Sequence, residues 1–284
     1  MILSLRDQAS LNHIEIGFMD AGILNKNKTW LIENNIKFIE LDFEDVEHKK
    51  RFRGRRSLLV NYYKPRLNLL FPEYDNIIFV DADTWVQTDQ AFKYLLQASN
   101  QLKLGIVSQS TRLTNSVMGI RSHFFSRFFN RYEPRGILYK NGLRAKIPYR
   151  YLKTLLSRPV LNCGVYALNT RAPHWTYWQN WQRIVLKKGR VFTSDQLSLA
   201  LAVDQHDLAC ELMPDTCNYI FLSNIRFDEN TSLFTDRYIP YDPISIIHFA
   251  GINNRLEKDL SVACINQNNE IINKNIHYHA YEEC

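Results

Sequence analysis

The first 110 residues alternate between two kinds of hydrophobic pattern. Apolar and polar residues alternate in residues 13–20 and 36–42, which predicts two strands, and the polar stretch 25–35 between them suits a helix. The same criteria predict helices at 57–71 and 89–99, and strands at 75–81 and 103–108. This order predicts an α/β fold with a mostly parallel central sheet flanked by helices.

The second half of the chain resumes this pattern after an interruption. Strands are predicted at 160–169 and 244–248, helices at 175–188 and 194–203, and a short strand at 263–265. Residues 111–159 lose the periodicity and are rich in basic and aromatic side chains, so we interpret them as an excursion from the sheet or an acceptor-binding flap. We expect one domain over residues 1–284.

Composition limits the classes of protein that remain. The chain has 284 residues, of which 45% are hydrophobic, which is enough for one sizeable core. Its five cysteines are widely spaced and include no CxxC pair, so neither a disulfide framework nor a zinc site is indicated. Without a long apolar run or a signal sequence at its start, we expect a cytoplasmic protein, with peripheral contact to a membrane left open.

The net charge of +6 favours anionic partners. Residues 49–56 concentrate six basic side chains in eight positions, either as a solvated loop or as a contact for phosphate or a membrane. A nucleic-acid binder is the weaker interpretation, because the five tryptophans have the spacing of core residues rather than of base-stacking platforms. We therefore expect no nucleic-acid partner.

Two carboxylates follow the strand predicted at 75–81. Asp81 and Asp83 flank Ala82 at the point where the strand leaves the sheet, and unpaired charges there must face water, a cation or a basic group. Hard oxygen ligands at this spacing suit Mg²⁺ or Mn²⁺ shared with a diphosphate. D-x-D alone is a weak motif, and a solvated turn explains many instances of it.

Four short motifs follow one another along the chain. The set begins with F-V-D-A-D-T at residues 79–84. It continues with N-C-G-V at 162–165, D-Q at 195–196 and H-F-A-G at 248–251. This ordered set resembles the GT-A fold nucleotide-sugar glycosyltransferases, particularly the retaining, glycogenin-like family 8. The resemblance covers roughly residues 1–258, and the ordered set is much more specific than any single motif.

The resemblance implies a role for each matching residue. It makes Asp81, Asp83 and His248 metal ligands, for Mn²⁺ or Mg²⁺, and it makes Ala82 part of the donor site. Without it, His248 at the end of an apolar strand suits a structural histidine. The resemblance also implies that Asn162 and Gly164 line the sugar pocket, although a strand glycine also marks a bulge.

Asp195 and Gln196 would face the transferred sugar and form the catalytic pair. The competing explanation is that Asp195 lies in a helix's first turn, where an acidic residue favours the dipole. Lys64 lies near the place where the family carries a donor-contacting basic residue. Arg66 is a rival for that place, and both are also explained as surface charges of a helix.

At the far end of the motif set, Gly251 would offer its backbone N–H to the diphosphate. The family's terminal lysine is replaced by Asn254, and Arg255 is the candidate substitute. The chain opens with a segment that resembles the helix after the family's first strand. The resemblance thus implies that the first nucleotide-binding strand is missing.

Taken together, the resemblance implies metal-dependent transfer from a nucleotide-sugar, usually a UDP-sugar, with retention. The acceptor is unknown, and the basic, aromatic residues 121–158 suggest an anionic or lipid-linked one. Two alternatives stay open at this stage. One is a catalytically impaired binding or regulatory protein of the same fold, and the other is a nucleotidyltransferase of similar architecture.

Overall fold

The computed structural model describes residues 1–44, 46–109, 134–220, 225–250 and 261–276. Helices alternate with strands through most of this length, which confirms the α/β class. The helices are α1 (Ile2–Arg6), α2 (Asn25–Glu33), α3 (Leu59–Tyr63), α4 (Leu67–Leu70), α5 (Gln90–Asn100), α6 (Pro134–Arg144), α7 (Tyr149–Leu152), α8 (His174–Lys188) and α9 (Ser194–His206). The strands are β1 (Gly17–Asp20), β2 (Lys37–Glu40), β3 (Asn76–Val80), β4 (Thr84–Val86), β5 (Leu104–Ser108), β6 (Leu161–Asn169), β7 (Cys210–Met213), β8 (Arg226–Asp228), β9 (Leu233–Thr235), β10 (Ile246–His248), β11 (Ser261–Ile265) and β12 (Ile271–Asn275).

The central sheet has the strand order β3-β6-β5-β7. Strand β6 runs antiparallel to both of its neighbours, and only β5 and β7 pair in parallel. The predicted mostly parallel sheet is therefore wrong for this part of the molecule. Parallel pairing also joins β1 and β2, which form a separate two-stranded sheet.

The direction of β6 follows from where the chain returns to the sheet. Strand β5 ends at Ser108, which lies opposite Leu161 at the start of β6. The N–H of Gln109 donates a 2.7 Å hydrogen bond to the carbonyl of Val160, so the chain leaves and re-enters at the same edge. A strand that starts where its neighbour ends must run in the opposite direction.

Strand β6 is the most deeply buried element of the sheet, with eight of its nine residues buried. On one face, α8 and α9 pack Trp175, Trp178 and Leu199 against Tyr166. On the other face, α5 contributes to a second apolar cluster that includes Val165. Burial on both faces requires a nearly continuous apolar run, and that run is the signal by which the sequence predicts this strand.

The predicted helix at 57–71 is interrupted. Two short helices, α3 and α4, are separated by a 3₁₀ turn at Lys64–Arg66. Pro65 lacks the N–H that a continuous α-helix needs at that position. The described part of the 111–159 excursion contains α6 and α7, which pack on the helix pair α8 and α9.

Several short strands form further sheets outside the central one. Strand β4 pairs antiparallel with β10, and β8, β9, β11 and β12 form a second four-stranded sheet. Strands β4, β7, β8, β9 and β12 have no counterpart among the sequence predictions. Of the helices in the described residues, none is long and apolar enough to cross a bilayer.

The end of β4 is joined to its neighbours by one buried side chain. The Gln87 amide nitrogen donates to the carbonyls of Phe234 and Ile244, at 2.9 and 2.7 Å, and its oxygen accepts from the Phe234 N–H at 2.8 Å. The Gln87 side chain therefore fixes the position of Ile244, in the segment just before β10.

We expect Gln87→Leu to lower the free energy of unfolding by about 2–4 kcal/mol, because it leaves the Phe234 N–H and the Ile244 carbonyl without partners, whereas the Phe234 carbonyl keeps the Ile244 N–H. Urea denaturation measures this loss. Gln97→Leu on the exposed face of α5 is the matched control and should change stability little. Equal stability of the two variants would contradict the assigned role of Gln87.

Candidate active site

Strand pairing brings three candidate ligands to one place. Strand β3 ends at Val80, and Asp81, Ala82 and Asp83 fill the gap before β4. Strand β10 pairs with β4 so that His248 lies opposite Thr84, the residue directly after Asp83. The Phe249 N–H also donates to the Asp83 carbonyl at 2.9 Å.

The side chains of Asp81, Asp83 and His248 converge. One ligand atom from each lies within 4.8 Å of the others. The His248 Nε2 atom is 3.3 Å from Asp83 Oδ1 and 3.8 Å from Asp81 Oδ2. Burial alone would raise the pKa of Asp83, but the hydrogen bond and the charge that the protonated His248 ring offers lower it below its usual value.

Asn218 fixes the orientation of the His248 ring through the nitrogen that faces away from the carboxylates. The His248 Nδ1 and Asn218 Oδ1 atoms are 2.8 Å apart, and both side chains are buried. Because the amide oxygen only accepts hydrogen bonds, Nδ1 carries the proton in the neutral ring. The lone pair on Nε2 then faces the two carboxylates, which is the tautomer that a metal ligand requires.

Gly164 leaves the space that the His248 ring occupies. A β-carbon at this position would lie 2.5 Å from His248 Cε1 and 3.0 Å from Asp81 Oδ2. The Gly164 carbonyl accepts a 2.8 Å hydrogen bond from the Asp81 N–H, so the two chains are in direct contact here. From the sequence, we expected Gly164 to make room for a ligand. In the structure, the space beside Gly164 is filled by His248 and Asp81, two of the candidate metal ligands.

This group of side chains fits a divalent cation. Neighbouring ligands in an octahedral site with bonds of about 2.0–2.1 Å lie about 3 Å apart, close to the separations found here. Two carboxylates and one imidazole are a ligand set that suits Mn²⁺. A protonated histidine that is ion-paired with both carboxylates also accounts for this geometry, and titration with Mn²⁺ distinguishes the two.

Lys64 connects this cluster to Asp195. Its ammonium group is buried and lies 3.1 Å from Asp81 Oδ1 and 3.7 Å from Asp195 Oδ2. It also donates to the Cys163 carbonyl at 3.0 Å. Burial alone would lower the pKa of Lys64, but Asp81 and Asp195 raise it well above its usual value. Lys64 is therefore a permanent cation and no surface charge.

Asp195 lies in the first turn of α9 and points inward. Its Oδ1 atom accepts a 2.9 Å hydrogen bond from the amide of Asn61, and its Oδ2 atom faces Lys64. Burial raises the pKa of Asp195, and the Lys64 ammonium opposes this effect. The side chain is only 4% exposed, so both oxygens are held by neighbours rather than by water.

The other predicted donor residues occupy different surroundings. Asn162 accepts from the Gly164 N–H through Oδ1 at 2.8 Å, and Gln196 donates to Gln109 at 3.0 Å. Ala82 is exposed between the two aspartates. Arg66, the rival of Lys64, donates to Gln182 on α8 and does not contact the cluster. Gly251 and Arg255 lie outside the described residues.

Two amides of this region, the half-buried Asn61 and the buried Asn218, have no motif of their own. Asn61 precedes Lys64 by one helical turn and supports Asp195, while Asn218 follows a 3₁₀ turn and supports His248. The only sequence signal for Asn61 is its spacing of three from Lys64, and Asn218 has no signal at all.

The comparison with protein families finds a match for the first part of the chain. Residues 1–134 match the model described as "Glycosyl transferase family 8". This match confirms the resemblance, supports a GT-A-like family 8 glycosyltransferase, and includes Lys64, Asp81 and Asp83. Asp195 and His248 lie beyond the matched segment. The similarity to this family is therefore established for the segment that carries the D-x-D pair.

Solved structures that resemble the chain include two glycosyltransferases. The apo structure of the WbbM bifunctional glycosyltransferase matches 88% of this chain with 15% identity and a TM-score of 0.49, and the chain spans only 43% of WbbM. The apo form of mouse xyloside xylosyltransferase 1 matches with 13% identity, 84% coverage of each chain and a TM-score of 0.46. A comparison with curated protein sequences finds no significant match.

We expect Gly164→Ala to weaken Mn²⁺ binding at least about tenfold, because the new methyl group displaces the His248 ring from the two carboxylates. Calorimetric titration of Mn²⁺ measures the effect. Gly136→Ala is the control, since a β-carbon there meets no atom within 4 Å. Mn²⁺ binding that is unchanged in Gly164→Ala would refute this account of the glycine.

We expect Lys64→Met to lower the free energy of unfolding at pH 7 by about 3–5 kcal/mol, because it leaves buried carboxylates uncompensated. Without Lys64 the raised pKa of Asp195 rises further, so the loss should shrink as the pH falls from about 7 to 5 and the carboxyl becomes neutral.

Urea denaturation at both pH values checks this expectation. Lys37→Met, which removes an exposed ion pair with Glu73, is the control and should cost at most about 1 kcal/mol at either pH. A loss for Lys64→Met that is independent of pH would show that its cause is packing rather than charge.

Proposed function

We propose that the protein transfers a sugar from a nucleotide-sugar, of the UDP-sugar type, to an acceptor hydroxyl, with retention and with a divalent cation. The observation that carries this proposal is the group of Asp81, Asp83 and His248 at the exit of β3, with the free His248 nitrogen facing both carboxylates. The family match over residues 1–134 supports the type of reaction.

The three ligand side chains would hold Mn²⁺ or Mg²⁺. A cation bound there supplies positive charge to the departing diphosphate, whose charge grows in the transition state. The chain's own part is to fix this charge in place. Asn218 orients His248, Gly164 leaves room for the ring, and Lys64 holds Asp81 from its other oxygen.

The surroundings of Asp195 favour one of the two routes to retention. A nucleophilic carboxylate needs a free oxygen that faces the anomeric carbon. Both Asp195 oxygens are engaged by Asn61 and Lys64, and the side chain is buried. We therefore assign Asp195 the role of positioning Lys64 and the donor sugar, with the acceptor attacking on the same face that the diphosphate leaves.

The remaining predicted residues are proposed as donor contacts. Asn162, Gly164 and Ala82 would line the donor site, and Gln196 would face the sugar beside Asp195. Gly251 and Arg255 are proposed to contact the diphosphate. The acceptor is proposed to be anionic, and the inference that follows gives this proposal a location.

We expect the wild-type protein with Mn²⁺ to release nucleotide from at least one member of a panel of nucleotide-sugars. Asp83→Asn should reduce the rate about 100-fold or more, since it removes one ligand of the proposed cation. Chromatography of the released nucleotide measures both rates. EDTA should abolish the wild-type activity.

Asp75→Asn is the matched control, because Asp75 forms an exposed ion pair with Arg171 on the surface. It should release nucleotide at the wild-type rate. If wild type and Asp83→Asn release nucleotide equally, the proposed site is not the catalytic one. Mn²⁺-dependent binding of UDP without any release would instead favour a binding protein of the same fold.

A further inference from the structure

A basic cavity of about 520 Å³ lies at the turn between α8 and α9, just before the helix that carries Asp195. Three segments line it: the loop that carries the basic run 49–56, the end of α6, and the turn between α8 and α9. Its volume is in the range of small-molecule sites. Six cationic side chains surround it, namely Lys50, Arg51, Arg53, Arg55, Arg144 and Arg190.

These six cations lack acidic partners in the part of the chain that the structure describes. Lysines and arginines elsewhere pair with carboxylates, as Arg183 does with Glu47 and Lys103 with Glu211. Around the cavity no such pair is found among the described residues. Like charges gathered around a concave surface repel one another and attract a multivalent anion.

Hydrogen bonds between side chains and backbone groups hold the segments that line the cavity in place. The Arg51 guanidinium donates to the carbonyls of Gly189 and Lys187, which joins the basic loop to the end of α8. The buried Asn141 amide bonds the N–H and the carbonyl of Arg190. Arg53 has a φ of 52°, a left-handed conformation that non-glycine residues adopt at a cost and that surrounding contacts must maintain.

Two of the segments that line the cavity continue along the chain to residues of the candidate active site. Phe192 precedes Asp195 by three residues, so their α-carbons are at most about 11 Å apart. Arg55 precedes Asn61, the partner of Asp195, by six residues within a run of helical turns, a rise of about 10 Å. A short saccharide with a phosphate at its far end would span this distance.

We propose that the cavity binds a phosphate-bearing group of the acceptor, either a sugar phosphate or a saccharide diphosphate. This inference rests on the proposed sugar transfer and names the chemistry of its acceptor. Arginine matches phosphate oxygens in bidentate geometry, and five of the six cations are arginines. The donor diphosphate has a separate place, because none of Asp81, Asp83 and His248 lines the cavity.

The test uses inorganic pyrophosphate as the probe, titrated calorimetrically into the full chain with EDTA present. Without a divalent cation the donor site lacks its charge, so binding reports on the cavity, and catalysis is not required. We expect wild type to bind one pyrophosphate and Arg53→Gln/Arg190→Gln to bind it at least about tenfold more weakly. Arg51 is left unchanged because it holds the walls together.

Two further variants locate the probe. Arg171→Gln removes an exposed arginine elsewhere on the surface and should bind pyrophosphate like wild type. Asp83→Asn should also bind like wild type. If Asp83→Asn binds pyrophosphate more tightly than wild type, the probe lies beside the removed charge in the donor site and the inference is overturned. It is also overturned if wild type binds no pyrophosphate or if the double variant binds it unchanged.

A second arm separates a phosphorylated acceptor from a membrane surface. Wild type and the double variant are sedimented with vesicles of phosphatidylglycerol and of phosphatidylcholine. If the basic residues bind phosphatidylglycerol vesicles but wild type binds no pyrophosphate, the surface recognises a membrane and the inference fails. The failure of the proposed function is distinguished by the absence of nucleotide release from wild type, which leaves pyrophosphate binding intact.

Discussion

The ammonium group of Lys64 is buried between Asp81 and Asp195, carboxylates that reach the same point from β3 and α9. Asp195 could not be buried there alone, because an uncompensated charge costs several kcal/mol. The ammonium thus couples the loop after β3 to the helix that carries the candidate catalytic pair. The candidate metal ligands, the position of α9 and the turn that leads to the basic cavity all depend on this contact.

Strand β6 positions the groups that make the contact between Lys64 and the two carboxylates. It lies between β3 and β5, so its backbone is beside Asp81 on one edge, and the Cys163 carbonyl is within reach of Lys64. Gly164 then admits the His248 ring from the separate pair of β4 and β10. The end of β3, strand β6 and the end of β10, which are distant in sequence, therefore meet at Gly164.

The sequence predicted the elements whose signals are local. The apolar runs of β3 and β6 and the D-x-D pair at a strand exit are visible without neighbours, and the ordered motifs added His248. The direction of β6 was missed, because it depends on where the chain re-enters the sheet and not on composition. Asn61 and Asn218 were missed for the same reason, since an amide becomes important only through what the fold places beside it.

The 2.7 Å hydrogen bond between Gln109 and Val160 has an evolutionary consequence. The ends of the intervening segment are held side by side, so its length can change without shifting the register of β5 or β6. The entropy cost of closing a longer loop grows only slowly with its length. Insertions and deletions in this segment can therefore accumulate while the pairing of β5 with β6 is kept, and the Arg144 wall of the cavity can change with them.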